Sequence, residues 1–168
     1  PDRPHGRGHQ TTEAPVKQLA RTRGIPILQP EKLRDPAFLD SLAALQPDLG
    51  VVAAYGKILP DAVLAAPRHG LINVHASLLP KYRGAAPVHR AIMAGEQQTG
   101  ITIIRLVREM DAGPMLASEA RAIGSDETSD AVERDLAQIG AALLVRSVTA
   151  LDAGRAREVA QDERSVTF

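Results

Sequence analysis

The run Ile72-Asn73-Val74-His75 alternates apolar and polar side chains with the period of a strand. Ile72 and Val74 then point to one face, and Asn73 and His75 to the other. An amide and an imidazole leave the same face two residues apart, opposite an apolar pair that asks for a core. Directly after it, Ser77-Leu78-Leu79-Pro80-Lys81-Tyr82-Arg83-Gly84-Ala85-Ala86-Pro87 reads as an apolar turn, stiffened by Pro80 and Pro87 and loosened by Gly84. Outward from there, residues 87–94 predict a helix, and residues 101–107 and 115–122 predict strands. Between those strands, Met110-Asp111-Ala112-Gly113-Pro114 places one carboxylate in a tight loop. Amide, imidazole and carboxylate on rigid supports make a proton-handling site of Asn73, His75 and Asp111.

The rest of the chain supplies the frame. Residues 49–54 are a continuous apolar run of strand length, as in a strand covered on both faces. Pro60 opens a short helix with Val63 and Leu64, and residues 70–75 complete the strand quoted first. Nearer the start, Val16, Leu19 and Ala20 share a helical face closed by Gly24, and residues 25–28 predict a short strand. Asp35-Pro36 is a helix start, a capping carboxylate followed by proline in the first turn; Phe38, Leu39, Leu42 and Leu45 form its apolar stripe. A long final helix over residues 129–151 carries Val132, Leu136, Ile139, Leu143, Leu144 and Val148 at helical spacing. Strands alternating with helices predict an α/β fold on an open, doubly wound, mostly parallel sheet. In such a sheet the ligand crevice lies beyond the carboxyl ends of the strands, where Asn73 and His75 end theirs.

At 168 residues the chain has the length of one domain with a sizeable core. With no tryptophan, two tyrosines and two phenylalanines, that core must be aliphatic. The absence of cysteine excludes disulfides and thiolate metal sites. No apolar run reaches membrane-spanning length. Twenty basic residues balance twenty acidic ones, so net charge does not point to nucleic acid, and local clustering has to. One histidine with one aspartate is no metal ligand set, and no His-Glu-x-x-His occurs. Gly6-Arg7-Gly8 lacks the third glycine and the preceding strand of a dinucleotide fingerprint. A hydrolase triad of Ser77, His75 and Asp111 lacks the Gly-x-Ser-x-Gly elbow in which such a serine commonly sits. His5, His9, His69 and His89 read as surface or packing residues.

Several of these motifs recur together elsewhere. Asn73-Val74-His75-Ala76-Ser77-Leu78-Leu79-Pro80, Arg83-Gly84-Ala85-Ala86-Pro87, Thr99-Gly100-Ile101-Thr102 and Asp111-Ala112-Gly113, in this order, resemble the folate-dependent formyltransferases. Pro1-Asp2-Arg3-Pro4-His5-Gly6-Arg7-Gly8 and Pro47 through Pro60 narrow the likeness to the branch whose acceptor is initiator methionyl-tRNA. The likeness covers essentially the whole chain. It implies a Rossmann-like formyltransferase domain over residues 1–157, without the strand-helix-strand unit, roughly 30 residues or more, that the family places first. Residues 158–168 would open the linker to a smaller C-terminal domain.

The resemblance further implies 10-formyltetrahydrofolate as donor, no metal, and a cytoplasmic or organellar-matrix monomer. Asn73, His75 and Asp111 would be the catalytic residues. Ser77, Leu78, Leu79 and Pro80 would form the folate-binding wall, with Leu59 and Pro60 beside the pterin. Gly6-Arg7-Gly8 would lie in the loop that meets the tRNA acceptor stem, with Arg3, Arg7 and Lys17 as the contacts. His9-Gln10 stands where the family often has two lysines, which lowers the charge of that loop. The rival acceptors are amino-sugar nucleotides and glycinamide ribonucleotide. A rival of another kind is an idle fragment, because a doubly wound sheet without its first strand exposes buried edges.

Overall fold

The computed structural model describes residues 3–5 and 10–168, with the backbone alone for residues 3–5 and 10–12. Two short strands, β1 (Arg3–His5) and β2 (Gln10–Thr12), pair antiparallel, Pro4 opposite Thr11, where a loop was expected. Helices α1 (Pro15–Thr22) and α2 (Pro36–Ala44) follow. Asp35 caps α2 as its sequence foretold, accepting from the Ala37 N–H at 3.0 Å. Neither helix buries a single residue, and Val16 and Leu19, the apolar face of α1, lie in solvent.

Residues 25–28 form no strand. Strand structure needs a ladder partner, Pro26 has no N–H to offer, and no described strand runs beside this segment. Ile25 and Leu28 are exposed.

The main sheet has the order β3 (Gly50–Ala53), β4 (Leu71–His75), β5 (Gln98–Arg105), β6 (Met115–Ala122). Strand β3 runs parallel to β4, but β4 with β5 and β5 with β6 are antiparallel. The α/β class holds, while the pairing is mixed, not mostly parallel. The physical reason is plain between β5 and β6: the loop of residues 106–114 is too short for a crossover, so the chain must fold straight back. Between β3 and β4 lies α3 (Asp61–Leu64), and between β4 and β5 lies α4 (Pro87–Met93).

One face of this sheet is packed. Helix α5 (Ser129–Asp152) starts at Thr128, whose hydroxyl accepts from the Ala131 N–H, and buries Val132, Leu136, Gly140, Leu143 and Ser147 along one stripe. Ile72, Ile101, Ile103 and Val88 of α4 complete the aliphatic core beneath it. A Cβ on Gly140 would stand 3.2 Å from Val74, so α5 lies close on β4. The register pairs Asn73 with Ile104 and His75 with Thr102, which turns these polar residues to the opposite face.

The last residues return to the sheet. Val159 bridges Met115 through both backbone hydrogen bonds, and residues 161–167 run along the loops at 80–84 and 111–113. A 3₁₀ turn, Glu163–Ser165, lies within this segment. The stretch expected to lead away as a linker is bonded into the domain.

Candidate active site

Strand alternation on β4 aims Asn73 and His75 together, and the β5–β6 loop carries Asp111 up to them. The Asn73 Nδ2 donates to Asp111 Oδ1 at 3.4 Å, a long bond, and Asp111 Oδ2 lies 3.5 Å from His75 Nδ1. The Gly84 N–H donates to Asp111 Oδ2 at 2.9 Å. The three residues expected to act together, separated by 38 positions in sequence between Asn73 and Asp111, do converge. Asp111 holds this orientation with φ at 50°, a left-handed backbone that a non-glycine residue seldom adopts. Tyr82, with φ at 59°, is a second such residue at the site.

His75 is enclosed, with only 5% of its surface exposed. Its Nε2 is 2.8 Å from the Tyr82 carbonyl oxygen, which can only accept, so Nε2 carries hydrogen. Nδ1 faces a carboxylate.

The turn after β4 is braced from inside. Ser77 is 0% exposed, and its hydroxyl donates to the Lys81 carbonyl at 2.6 Å. The Thr102 hydroxyl donates to the Ser77 carbonyl and accepts from the Leu79 N–H. Such a serine is no exposed nucleophile, and its side chain braces the turn. Leu78 packs on β5, where a Cβ on Gly100 would meet its Cδ2 at 2.5 Å. Leu79 is buried, Pro80 is half-buried, and the bond between them is cis. Leu59 and Pro60 are half-buried beyond β3, and the Pro60 carbonyl starts α3 by accepting from Val63 and Leu64. Beside them Ile58 is 94% exposed.

Of the basic residues expected to meet nucleic acid, Arg7 lies outside the described residues, and Arg3 is described by backbone alone. Lys17 sits on α1 with its Nζ 3.4 Å from Glu13 Oε1. Among the described residues, no group of three or more His, Asp or Glu is placed to hold a metal ion, and no helix is long and apolar enough to cross a membrane. A hollow of about 720 Å³ lies at the other end of β5, lined by Gly95, Glu96, Gln98 and Ala122, and shares no residue with the trio.

Sequence reasoning missed Arg83 and Gln161. The Arg83 side chain is buried and donates from Nε and Nη2 to Gln161 Oε1, at 3.1 and 2.9 Å, and from Nη1 and Nη2 to Glu163. A buried guanidinium must find such acceptors. Arg83 stood inside a quoted motif, but no pattern in the polar tail announced its partners.

The family model described as formyl transferase matches residues 1–148. The methionyl-tRNA formyltransferase of Methylococcus capsulatus is 49% identical over all 168 residues, which cover 54% of that relative. The methionyl-tRNA formyltransferase of Xanthomonas campestris is 53% identical over 163 residues, 97% of this chain and 53% of the relative. The chain thus spans about half the length of the relatives it matches. Among solved structures, phosphoribosylglycinamide formyltransferase from Bacillus halodurans superposes with a TM-score of 0.75 at 26% identity, over 83% of this chain and 76% of that one. Glycinamide ribonucleotide transformylase 1 from Symbiobacterium toebii, at 22% identity, shares the fold with a TM-score of 0.80 over 90% of this chain and 77% of its own.

Proposed function

The chain belongs to the formyl transferase family, and on that premise we propose that it carries the transfer site of an enzyme acting on initiator methionyl-tRNA. The donor in this reading is 10-formyltetrahydrofolate, and the acceptor is the α-amino group of the methionine. The observation that carries it is the convergence of Asn73, His75 and Asp111 at one sheet face, in a chain similar along nearly all its length to about half of each of two methionyl-tRNA formyltransferases.

The amine attacks the formyl carbon and forms a tetrahedral adduct whose former carbonyl oxygen is an oxyanion. The second N–H of the Asn73 amide and the Nε2–H of His75 donate to that oxygen. His75 reaches it by exchanging the Tyr82 carbonyl for the oxyanion, since such bonds tighten only with substrate in place. The adduct collapses by breaking the bond between the formyl carbon and the folate nitrogen. The proton lost by the amine passes to that nitrogen through Asp111 or a water it holds. No covalent bond to the enzyme forms and no metal takes part. The turn of Ser77, Leu78, Leu79 and Pro80, together with Leu59 and Pro60, supplies the wall for the folate. Arg7, Arg3 and Lys17 supply contacts for the tRNA acceptor stem.

His75→Ala and Asp111→Ala are each expected to cut turnover in the intact protein by about 10²–10⁴-fold; near-normal turnover in either would end this mechanism. Methionyl-tRNA, an amino-sugar nucleotide and glycinamide ribonucleotide, offered in parallel, separate the acceptors. Arg7→Ala is expected to weaken tRNA binding and to lower the steepness of its salt dependence by about one unit.

A further inference from the structure

We propose that Gln161 is a positioning residue, a cross-brace through which the segment of residues 159–167 holds both groups that His75 touches. Those two groups are the Tyr82 carbonyl and the Asp111 carboxylate. Each sits on a loop that the same segment grips.

On the Asp111 side, Gln161 Nε2 donates to the Asp111 carbonyl at 2.7 Å and to the Gly113 carbonyl at 2.8 Å. These bonds join residues 50 and 48 positions apart, and they hold the carbonyls of the residues on either side of Ala112. Asp111 needs that hold, because its backbone sits at a φ of 50°. On the Tyr82 side, the Tyr82 N–H donates to Thr167 Oγ1 at 2.8 Å, and the Arg83 N–H donates to the Thr167 carbonyl at 2.9 Å. Gln161 Oε1 takes two further donors from the Arg83 guanidinium.

The carboxamide therefore uses both of its hydrogens and both of its acceptor positions. It is 8% exposed, so no water stands in for a lost partner without rearrangement. A carboxamide is the group this place requires. A carboxylate would keep the Arg83 pairing but face two carbonyl oxygens with no hydrogen to give. An apolar side chain of equal length would leave the guanidinium to Glu163 alone.

The consequence for chemistry rests on the formyl-transfer reading above. Before substrate binds, Asp111 and the Tyr82 carbonyl aim the imidazole from two sides, and a displacement of about 1 Å in a reacting group is enough to cost about 10²-fold in rate. Gln161 bonds to none of the three side chains of the trio, so its effect should fall on turnover and on local order, not on donor affinity.

Gln161→Glu and Gln161→Met in the intact protein test this with two independent readouts. Hydrogen exchange at the Gly84 amide, which donates to Asp111 Oδ2, is expected to rise by about tenfold or more, with the Ile103 amide of the core unchanged. Formyl transfer is expected to fall by about 10–100-fold in kcat, with KM for the folate donor within about threefold. Unchanged exchange at Gly84, or a parallel rise at Gly84 and Ile103, overturns the proposal. If the unaltered protein formylates none of the three acceptors, the functional reading fails, and the exchange data alone then decide for or against the brace.

Discussion

A single hydrogen atom decides what Gly113 can be. A Cβ there would lie 1.9 Å from the Arg105 carbonyl oxygen, a backbone atom that cannot step aside. Gly113→Ala should cost about 1–3 kcal/mol in denaturant melts through overpacking. It should also lower turnover, because the loop carrying Asp111 must shift; an unchanged melt would refute the contact. At this scale, alternation along residues 72–75 was enough to read Asn73 and His75 as companions, and the tight loop of residues 110–114 between two strands added Asp111. The bond by which Ser77 braces the turn was not legible, because a motif position says nothing of where a hydroxyl points. Gln161 and Thr167 were invisible: their bonds, to backbone groups and to the Arg83 side chain, run across tens of residues and leave no periodicity.

Helices α1 and α5 show what periodicity can and cannot tell. Both carry apolar residues at helical spacing, and both are helices. Only α5 has a sheet face to cover, so Leu136 is 1% exposed while Leu19 is 55% exposed. Leu136→Ala should therefore cost about 2–5 kcal/mol, and Leu19→Ala less than about 0.5 kcal/mol, both by chemical denaturation of the same preparation. Equal losses would mean that α1 is covered in solution. Residues 25–28 teach the same lesson for strands. Their apolar run fits a strand, but a strand exists only through its neighbour. The pairing of β5 with β6 was legible in the short loop between them, though the alternation of elements suggested parallel strands.

Across the whole molecule, charge pairs set the response to acid. Arg121 donates to Glu127 from both terminal nitrogens, and the Gly124 N–H adds a third bond; together they lower the Glu127 carboxyl to about 2. Glu96 is lowered by its bonds to Lys81 and Tyr82, and Asp162 by Arg164. A carboxyl lowered by folding contributes stability above its unfolded value, near 4.5 for Glu127, and loses it as pH falls toward the folded value. Denaturant midpoints should thus be flat near neutrality and decline from about pH 4.5 toward pH 2. Glu127→Gln should flatten part of that decline; an identical acid limb in the variant would contradict the assignment.

The grip of Gln161 and Thr167 on the loops around His75 bears on how the protein is born. A chain leaves the ribosome from its amino end, so Asn73, His75 and even Asp111 emerge well before the residues that lock them. The nascent polypeptide should stay chemically silent until position 167 has cleared the exit tunnel, although every group that handles a proton is already outside.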